Sequence, residues 1–495
     1  MTDRLHDLIA PSPADDRPAV TTGGTTLTYA ELRAEAGAWA ARLAARGLGR
    51  GDRVLLTSSV AAARPACLYA ASRIGAVFSV IHDEVRGEVL RHVLTDCEPR
   101  LFLTTDPDAR AVARAEDVPA PDPDDPGPGG AGADGPPSGS VLPVDPLCLI
   151  YTSGTTALPK AVVSTHAQAL FATRAIGRRL RYDERDTVFS ALPLSFDYGL
   201  YQLFLAAAAK AHVVLASPAE AGPRLLANLV RHRATVFPAV PPLSAGLLSL
   251  LSRRPQEAER VRLRLMTNTG AATPRETLSG LRRLLPGLAV QLMFGLTECK
   301  RVSIMEPDED RLRPDAVGRP LDGTEVFTVD EDGRRLPPGS HGELTVRGPH
   351  VMSGYWRRPE LTARRFVARD GLFPELRTGD YGVVGTDGYV YFQGRRDDVY
   401  KQDGFRVSSV EVEAAARALP GVDEAAVLVP APGRPAVLVT TGTAAPQETA
   451  AQLGQRVERY KVPPRCHALD RLPTNANGKT DKKKLAAMLE EDLRA

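Results

Sequence analysis

Residues 147 to 160 run LCLIYTSGTTALPK. Leu147, Cys148, Leu149 and Ile150 form a short apolar run of the kind that makes a buried strand. Thr152, Ser153, Gly154, Thr155 and Thr156 crowd together directly after it, and from His166 to Leu180 apolar residues recur at helical spacing. A strand that empties into a hydroxyl-rich turn and then a helix is a device for holding phosphates, because backbone N–H groups and hydroxyls converge on the anion. It is not a Walker loop, which needs a glycine directly before its lysine; Pro159 stands before Lys160. Taken alone, the stretch is also compatible with a plain polar loop, so the rest of the chain decides.

Before it, strands and helices alternate. Leu27 to Gly49 has the apolar spacing of an amphipathic helix ending at glycines. Arg53 to Ser58 is expected as a strand, Ala61 to Ile74 as one helix, Val77 to Ile81 and Leu101 to Thr104 as further strands, with a helix near Glu88 to Leu94 between these two. From Val118 to Ser140 the composition turns to Pro, Gly, Asp and Ala, a surface excursion with little to bury. Alternation resumes after Asp186: strands at Val188–Leu192, His212–Leu215, Thr235–Phe237, Met266–Gly270 and Val290–Phe294, helices at Leu200–Ala209 and Pro223–His232. Such alternation implies parallel sheets with crossovers, whose ligands lie at the carboxyl ends of the strands.

Near Gly318 the character changes. Turns at Asp332-Gly333, Pro338-Gly339 and Asp387-Gly388 point to an antiparallel, barrel-like region reaching about Gln393. An α+β tail follows, with strands at Ala425–Val429 and Ala436–Val439 and a helix at Glu448–Tyr460. The second domain is expected to begin near Asp397, which divides the chain into residues 1–396 and 397–495.

A chain of 495 residues exceeds one compact core. Its 62 Lys plus Arg against 60 Asp plus Glu leave a formal charge of +2, which gives no general electrostatic reason to bind nucleic acid or a membrane. No apolar run reaches the ~18 residues that span a bilayer, and the start of the chain is acidic rather than signal-like, so a cytoplasmic location is expected. The five cysteines, Cys67, Cys97, Cys148, Cys299 and Cys466, are scattered and odd in number, against a disulfide framework or a structural zinc site.

Five motifs stand in order: YTSGTTALPK, FGLTE at 294–298, RTGD at 377–380, GRRDDVYKQDGFRVSSVEVE at 394–413 and LPTNANGK at 472–479. Together, from about Leu27 to Leu485, they resemble the adenylate-forming superfamily of acyl-CoA ligases, luciferases and peptide-synthetase adenylation domains. The resemblance implies an α/β fold. Its large N-terminal ATP- and substrate-binding core has two parallel-type sheets with helices plus a small β-barrel, and its small mobile α+β C-terminal domain carries the catalytic lysine. It also implies ATP and Mg²⁺. Thr152, Ser153, Gly154, Thr155, Thr156 and Lys160 would hold the β- and γ-phosphates. Lys479 would bridge the attacking carboxylate and the α-phosphate, and Glu298, after Thr297, would hold Mg²⁺. Phe294 and Gly295 would face adenine opposite Gly270, Ala271 and Ala272, while Asp380 and Arg395 would hold the ribose. Asp397 would be the hinge that swaps Lys479 for a face carrying Lys401 and Gly404 in the thioester step. Ala157 and Ala161 depart from the pattern, standing where relatives have glycine; if position 157 needs a positive φ, alanine costs around 1 kcal/mol there.

For the acid, Asp197 in LSFDYGLYQLF matches the residue that pairs with the substrate ammonium in amino-acid-activating relatives. The matched pocket positions are Tyr198, Tyr201, Ala239, Thr267, Thr269, Met293, Arg301 and Val302. Two tyrosines and a methionine leave a small cavity, suited to a compact amino acid such as proline. Arg301, with Lys300 beside it, could instead meet a substrate carboxylate, as in relatives that activate aspartate-like β-amino acids. Without a carrier-domain signature, the chain is expected to pass its acyl group to the phosphopantetheine of a separate carrier protein or to coenzyme A, in the manner of a freestanding nonribosomal-peptide-synthetase-like ligase. Arg456, Arg459, Lys461 and Arg465 offer a docking face for an acidic carrier or a merely solvated one. An acyl-CoA ligase for a small carboxylic acid is the nearest alternative; a nucleotide-binding protein that has lost catalysis is the competing class, and the presence of Lys479 and Glu298 speaks against it.

Overall fold

The apolar run at Leu147 is a strand, Pro146–Thr152, but the chain does not pass straight on to a helix. It returns first as a second strand, Lys160–Thr165, paired antiparallel with Tyr151 opposite Ala161 and Thr152 opposite Lys160. The reason is burial: Ala161, Val162 and Val163 are three consecutive apolar residues, all buried, and cover on both faces suits a strand. Ala161 therefore sits in regular extended backbone, where alanine is unstrained. The helix then begins at His166 and runs to Leu180 as expected. Its start is a capping box in which Thr165 accepts from the Gln168 N–H and the Gln168 side chain accepts from the Thr165 N–H.

The computed structural model describes residues 3–125, 141–152, 158–369, 373–395, 398–402, 405–431, 434–457, 459–475 and 479–492, with backbone alone for Arg395, Val399, Lys401, Phe405, Arg406, Glu490, Glu491 and Asp492. The chain divides into two compact units, residues 1–325 with 346–377 and residues 326–345 with 378–495.

The first unit is built on two sheets. In one, Leu101–Leu103, Arg53–Thr57, Val77–Ile81 and Pro146–Thr152 lie parallel in that order, with Lys160–Thr165 antiparallel at the end. The other has nine strands. Its parallel centre runs Ala289–Phe294, Leu265–Asn268, Val236–Ala239, Thr187–Ser190, His212–Leu215, Pro18–Thr22, flanked by antiparallel edges. Both sheets are covered on both faces, which is why their strands are short continuous apolar runs. Leu56 faces the large core shared with the Tyr29, Ala66, His166 and Asp197 helices, while neighbouring Leu55 faces the Gly87–Cys97 helix. The expected single helix over 61–74 is two, Ser58–Ala63 and Ala66–Ile74, because Pro65 has no N–H to continue a helix.

Most of the expected antiparallel region lies in the second unit, with strands Glu325–Val329, His341–Arg347, Glu375–Val384 and Val390–Arg395 in one sheet. Beyond it, the hairpin Val399–Gln402 and Phe405–Ser408 leads to the helix Ser409–Arg417. A three-stranded sheet of Val422–Leu428, Val437–Gly442 and Arg465–Ala468 follows. The helix expected at 448–460 is the shorter Pro446–Leu453, ending at Gly454. Among the described residues no helix is long and apolar enough to cross a membrane.

Candidate active site

In the first unit, the expected substrate residues collect at the carboxyl ends of the parallel strands. Ala239 closes Val236–Ala239, Thr267 lies in Leu265–Asn268 with Thr269 and Gly270 following, and Met293 and Phe294 end Ala289–Phe294. Asp197 opens the helix that follows Thr187–Ser190. This helix begins where it does because Gly199 lets the backbone approach: a Cβ there would stand 2.4 Å from the Pro193 carbonyl oxygen.

Polar groups around these residues are ordered by hydrogen bonds. The hydroxyls of Tyr198 and Thr267 are hydrogen-bonded at 2.7 Å. Asn268, which no sequence motif singles out, donates from Nδ2 to the Ala239 carbonyl at 3.2 Å and ties the ends of two strands together. Ala239, Thr267 and Val302 are fully buried, as is Thr269 nearly so. Asp197 is 5% exposed, yet among the described residues its carboxylate has no hydrogen bond or ion pair; its place in the first turn of a helix supplies partial compensation.

Opposite in sign stand Lys300 and Arg301, both buried. Lys300 adopts the left-handed φ of 65° and donates from Nζ to the Thr297 carbonyl at 3.1 Å, beside the Tyr201 ring. Burial pulls its ammonium below the usual lysine value, against the opposing pull of Asp197. Arg301 donates from one terminal nitrogen to the Lys300 carbonyl at 2.6 Å and lies 4.9 Å from the centre of the Tyr198 ring. Among the described residues its buried Nε has no hydrogen-bond partner. The Tyr201 hydroxyl likewise has none among them, and its phenol is raised far above the usual value by burial, with the charges of Asp197 and Arg301 both acting on it. The charges of Asp197 and Arg301 thus both reach the Tyr201 hydroxyl. Gly295 permits this turn, since a Cβ there would stand 2.2 Å from the Lys300 carbonyl oxygen.

Glu298, expected as the magnesium ligand, is buried, and its Oε1 accepts from the Tyr355 hydroxyl at 2.6 Å. Lys160 Nζ lies 3.9 Å from the centre of the same tyrosine ring. The backbone of 353–356 runs beside Lys160–Thr165, with Ser353 N–H on the Val163 carbonyl and Trp356 N–H on the Ala161 carbonyl, so the start of the phosphate stretch and Glu298 are joined through Tyr355. Gly270 takes the left-handed φ of 90° expected of glycine, followed by exposed Ala271 and Ala272. Thr152 and Lys160 are paired across the hairpin, whereas Ser153, Gly154, Thr155, Thr156 and Ala157 lie outside the described residues.

In the second unit, the backbones of Asp380 and Arg395 are directly opposite each other in neighbouring strands. Lys479 is exposed: its N–H donates to the Asn475 side chain at 3.1 Å and its carbonyl accepts from the Asn475 N–H at 2.8 Å. Lys401 is paired with Arg406 in the hairpin, and Asp397 and Gly404 lie outside the described residues. Of the basic group at 456–465, Lys461 is paired with Glu411 at 2.6 Å, while Arg456, Arg459 and Arg465 are exposed.

Comparison with known proteins settles the class. The family model for AMP-binding enzymes matches residues 10–356, and that for the AMP-binding enzyme C-terminal domain matches 411–479. The chain belongs to the AMP-binding, adenylate-forming enzyme family. This AMP-forming ligase is 32% identical to an L-proline:L-prolyl-carrier protein ligase of Streptomyces coelicolor, over 95% of this chain and 93% of that one. Among solved structures, the complex of VinN with L-aspartate matches at 37% identity and a TM-score of 0.70, covering 79% of this chain and 98% of that one. The ATP-bound RpMatB-BxBclM chimera B3 matches at 27% identity and a TM-score of 0.87 over 99% of both chains.

Proposed function

We propose that this enzyme uses ATP to convert a small amino acid bearing a second carboxylate into its aminoacyl-AMP, and then passes the acyl group to the phosphopantetheine thiol of a separate carrier protein. The observation that carries the choice of acid is the pair of buried opposite charges that both act on Tyr201: among the described residues the Asp197 carboxylate has no hydrogen bond and the Nε of Arg301 has none. Buried groups of this kind cost several kcal/mol when left alone. An aspartate-like or β-amino diacid has an ammonium for Asp197, one carboxylate for Arg301 and one left to react. The likeness to VinN, solved with L-aspartate, supports the same reading.

In the first half-reaction a substrate carboxylate oxygen forms a bond to the α-phosphorus of ATP while the bond to pyrophosphate breaks. Two anions must meet, so the chain has to supply positive charge and N–H donors. Thr152, Ser153, Gly154, Thr155, Thr156 and Lys160 are assigned to the β- and γ-phosphates, Gly270 to Ala272 with Phe294 and Gly295 to adenine, Asp380 and Arg395 to the ribose. Lys479 is assigned to the attacking carboxylate and the α-phosphate. Thr297 and Glu298 fit a magnesium ion carried by the phosphates: one buried carboxylate, with Oε2 open among the described residues, plus phosphate oxygens is a donor set that magnesium takes. When bound, the ion offsets charge on the phosphate oxygens.

In the second half-reaction the thiol sulfur bonds to the acyl carbon and AMP leaves. Asp397 is assigned as the hinge between residues 1–396 and 397–495, with Lys401 on the face used in this step.

Proline itself is the second reading, favoured by the 32% identity to the prolyl-carrier ligase. In that case Arg301, held by the Lys300 carbonyl and stacked on Tyr198, is structural. Pyrophosphate exchange separates the readings. We expect exchange with L-aspartate or a β-amino diacid and little with L-proline or with succinate, which lacks the amine. Stronger exchange with proline would overturn the diacid assignment. Product formed with free coenzyme A as readily as with a loaded carrier would overturn the acceptor.

A further inference from the structure

The helix Lys482–Asp492 opens on three lysines, Lys482, Lys483 and Lys484. The first turn of a helix favours acids, because its free N–H groups carry partial positive charge, so a cation there opposes its own helix. Lys483 and Lys484 are exposed. Lys482 is half-buried instead, with its ammonium 3.1 Å from Oδ1 of Asp398, 2.9 Å from Oε1 of Glu413 and 3.5 Å from the Ser409 hydroxyl. Glu413 is itself buried, and the same Oε1 accepts the Val427 N–H at 2.8 Å. One side chain therefore ties the helix start to the residue before the strand Val399–Gln402, to the helix Ser409–Arg417 and, through Glu413, to the strand Val422–Leu428. Burial works against its charge, and the two carboxylates more than offset that, which puts the ammonium above the usual lysine value.

Lys482 stands three residues after Lys479, and the backbone between them is held throughout. Segments 473–475 and 479–481 pair antiparallel: the Asp481 N–H donates to the Pro473 carbonyl at 2.8 Å, Thr474 is opposite Thr480, and the Asn475 N–H donates to the Lys479 carbonyl at 2.8 Å. Asp481 then caps the helix, its side chain accepting from the Lys484 N–H at 3.0 Å and its carbonyl from the Leu485 N–H at 2.9 Å. Leu485 and Leu489 are buried against Ala426, Leu428, Val437 and Val439. Apolar burial is non-directional, so it fixes the depth of the helix better than its rotation. The charge-assisted bonds of Lys482 are directional and fix the rest.

We propose that Lys482 is a positioning residue for the adenylation step: by locking the foot of the paired segment to Asp398 and Glu413, it holds Lys479 at the place and angle which that reaction requires. The proposal rests on the reading of Lys479 as the lysine of the attacking carboxylate and the α-phosphate. A misplacement of about 1 Å costs on the order of 100-fold in rate where geometry is critical. A stabilising charge acts without reorganisation only when it is fixed beforehand.

The test uses the full-length enzyme and follows both half-reactions, pyrophosphate exchange and transfer to the carrier from a chemically prepared aminoacyl-AMP. Lys482→Met keeps an unbranched side chain and removes the charge. Its kcat for exchange is expected to fall about tenfold, which is ~1.4 kcal/mol of barrier, with both KM values and the rate of transfer within about twofold. Lys482→Arg restores a cation and is expected to recover most of the loss. If Lys482→Met does not fold, Glu413→Gln carries the test, because its amide oxygen still accepts the Val427 N–H; loss of exchange with transfer intact is again the expected result. Exchange and transfer falling together with the thermal midpoint, or exchange unchanged in a folded variant, overturns the proposal. Lys479→Ala is the control on the underlying reading. If it abolishes exchange while the Lys482 and Glu413 variants do not lower it, the positioning role fails and the reading of Lys479 stands. If Lys479→Ala itself leaves exchange unchanged, that reading fails and the positioning role falls with it.

Discussion

Tyr355 donates its hydroxyl hydrogen to Oε1 of Glu298 across 2.6 Å. Burial and the Glu298 charge both push the phenol above its usual value, so the hydroxyl remains a donor over the working range of pH. If Glu298 is the magnesium ligand, Tyr355 sets the rotation of its carboxylate. Partners of this sort cost 10- to 100-fold in metal affinity or activity when removed. Tyr355→Phe keeps the ring under Lys160 and deletes the hydroxyl, with its bond to Glu298 and its contact with Arg365. We expect the magnesium concentration for half-maximal exchange to rise about tenfold. An unchanged magnesium titration would show that the tyrosine only packs.

Asp197 and Arg301 should act on opposite ends of the acid. Asp197→Asn leaves a buried amide where the ammonium needs a charge, and a charge-assisted bond of ~2 kcal/mol or more is lost. The KM for the amino acid is expected to rise at least thirtyfold while that for ATP moves little. Arg301→Gln should cost most with diacids and least with monocarboxylic amino acids. Equal losses across a panel of acids would mean that Arg301 supports the Tyr198 ring and reads no substrate group.

The local placement of the candidate site residues was legible because they sit in local motifs: Asp197 to Tyr201 in one turn of helix, Met293 to Arg301 in one strand and turn. The helix from His166 to Leu180 was legible for a similar reason, with period and cap both local. What escaped was long-range. Tyr355 lies 57 residues from Glu298; a lone tyrosine carries no mark of such a partner. The strand Lys160–Thr165 was hidden because its short apolar run adjoins a strong helical pattern. The division of the antiparallel strands between two units depends on packing, which periodicity does not record.

Lys479 offers the sharpest separation of the two half-reactions. Its side chain projects from an exposed loop stem and has no core to support, so Lys479→Ala should leave the fold intact. If the ammonium stabilises charge developing between carboxylate and α-phosphate, exchange should fall by ~100-fold or more, the scale found when one preorganised donor is removed. Transfer from a chemically prepared aminoacyl-AMP to the carrier should survive. Full exchange activity in the variant would refute the assignment.

Acid should destabilise this enzyme through its histidines before its carboxylates protonate. Burial lowers His6, His166, His212 and His350 to about 4 each. His166 Nδ1 accepts from the Leu5 N–H at 3.1 Å, a bond that protonation at that nitrogen would break. His6 faces Ser72 at 2.9 Å and Asp7 at 3.7 Å, with Arg4 and Arg73 opposing its charge, and His212 faces Thr21 at 2.7 Å. In the unfolded chain these rings take up protons near pH ~6.5. Between that value and about 4 the unfolded state binds more protons than the folded one, so stability is full above pH ~6.5 and falls as the pH drops toward 4. Each ring contributes at most ~3 kcal/mol over the whole window by the usual linkage. The urea midpoint should therefore decline steadily from pH 7 to pH 5, and His212→Gln should reduce the slope. A midpoint that stays level over that range would mean that these rings are open to water and protonate equally in both states.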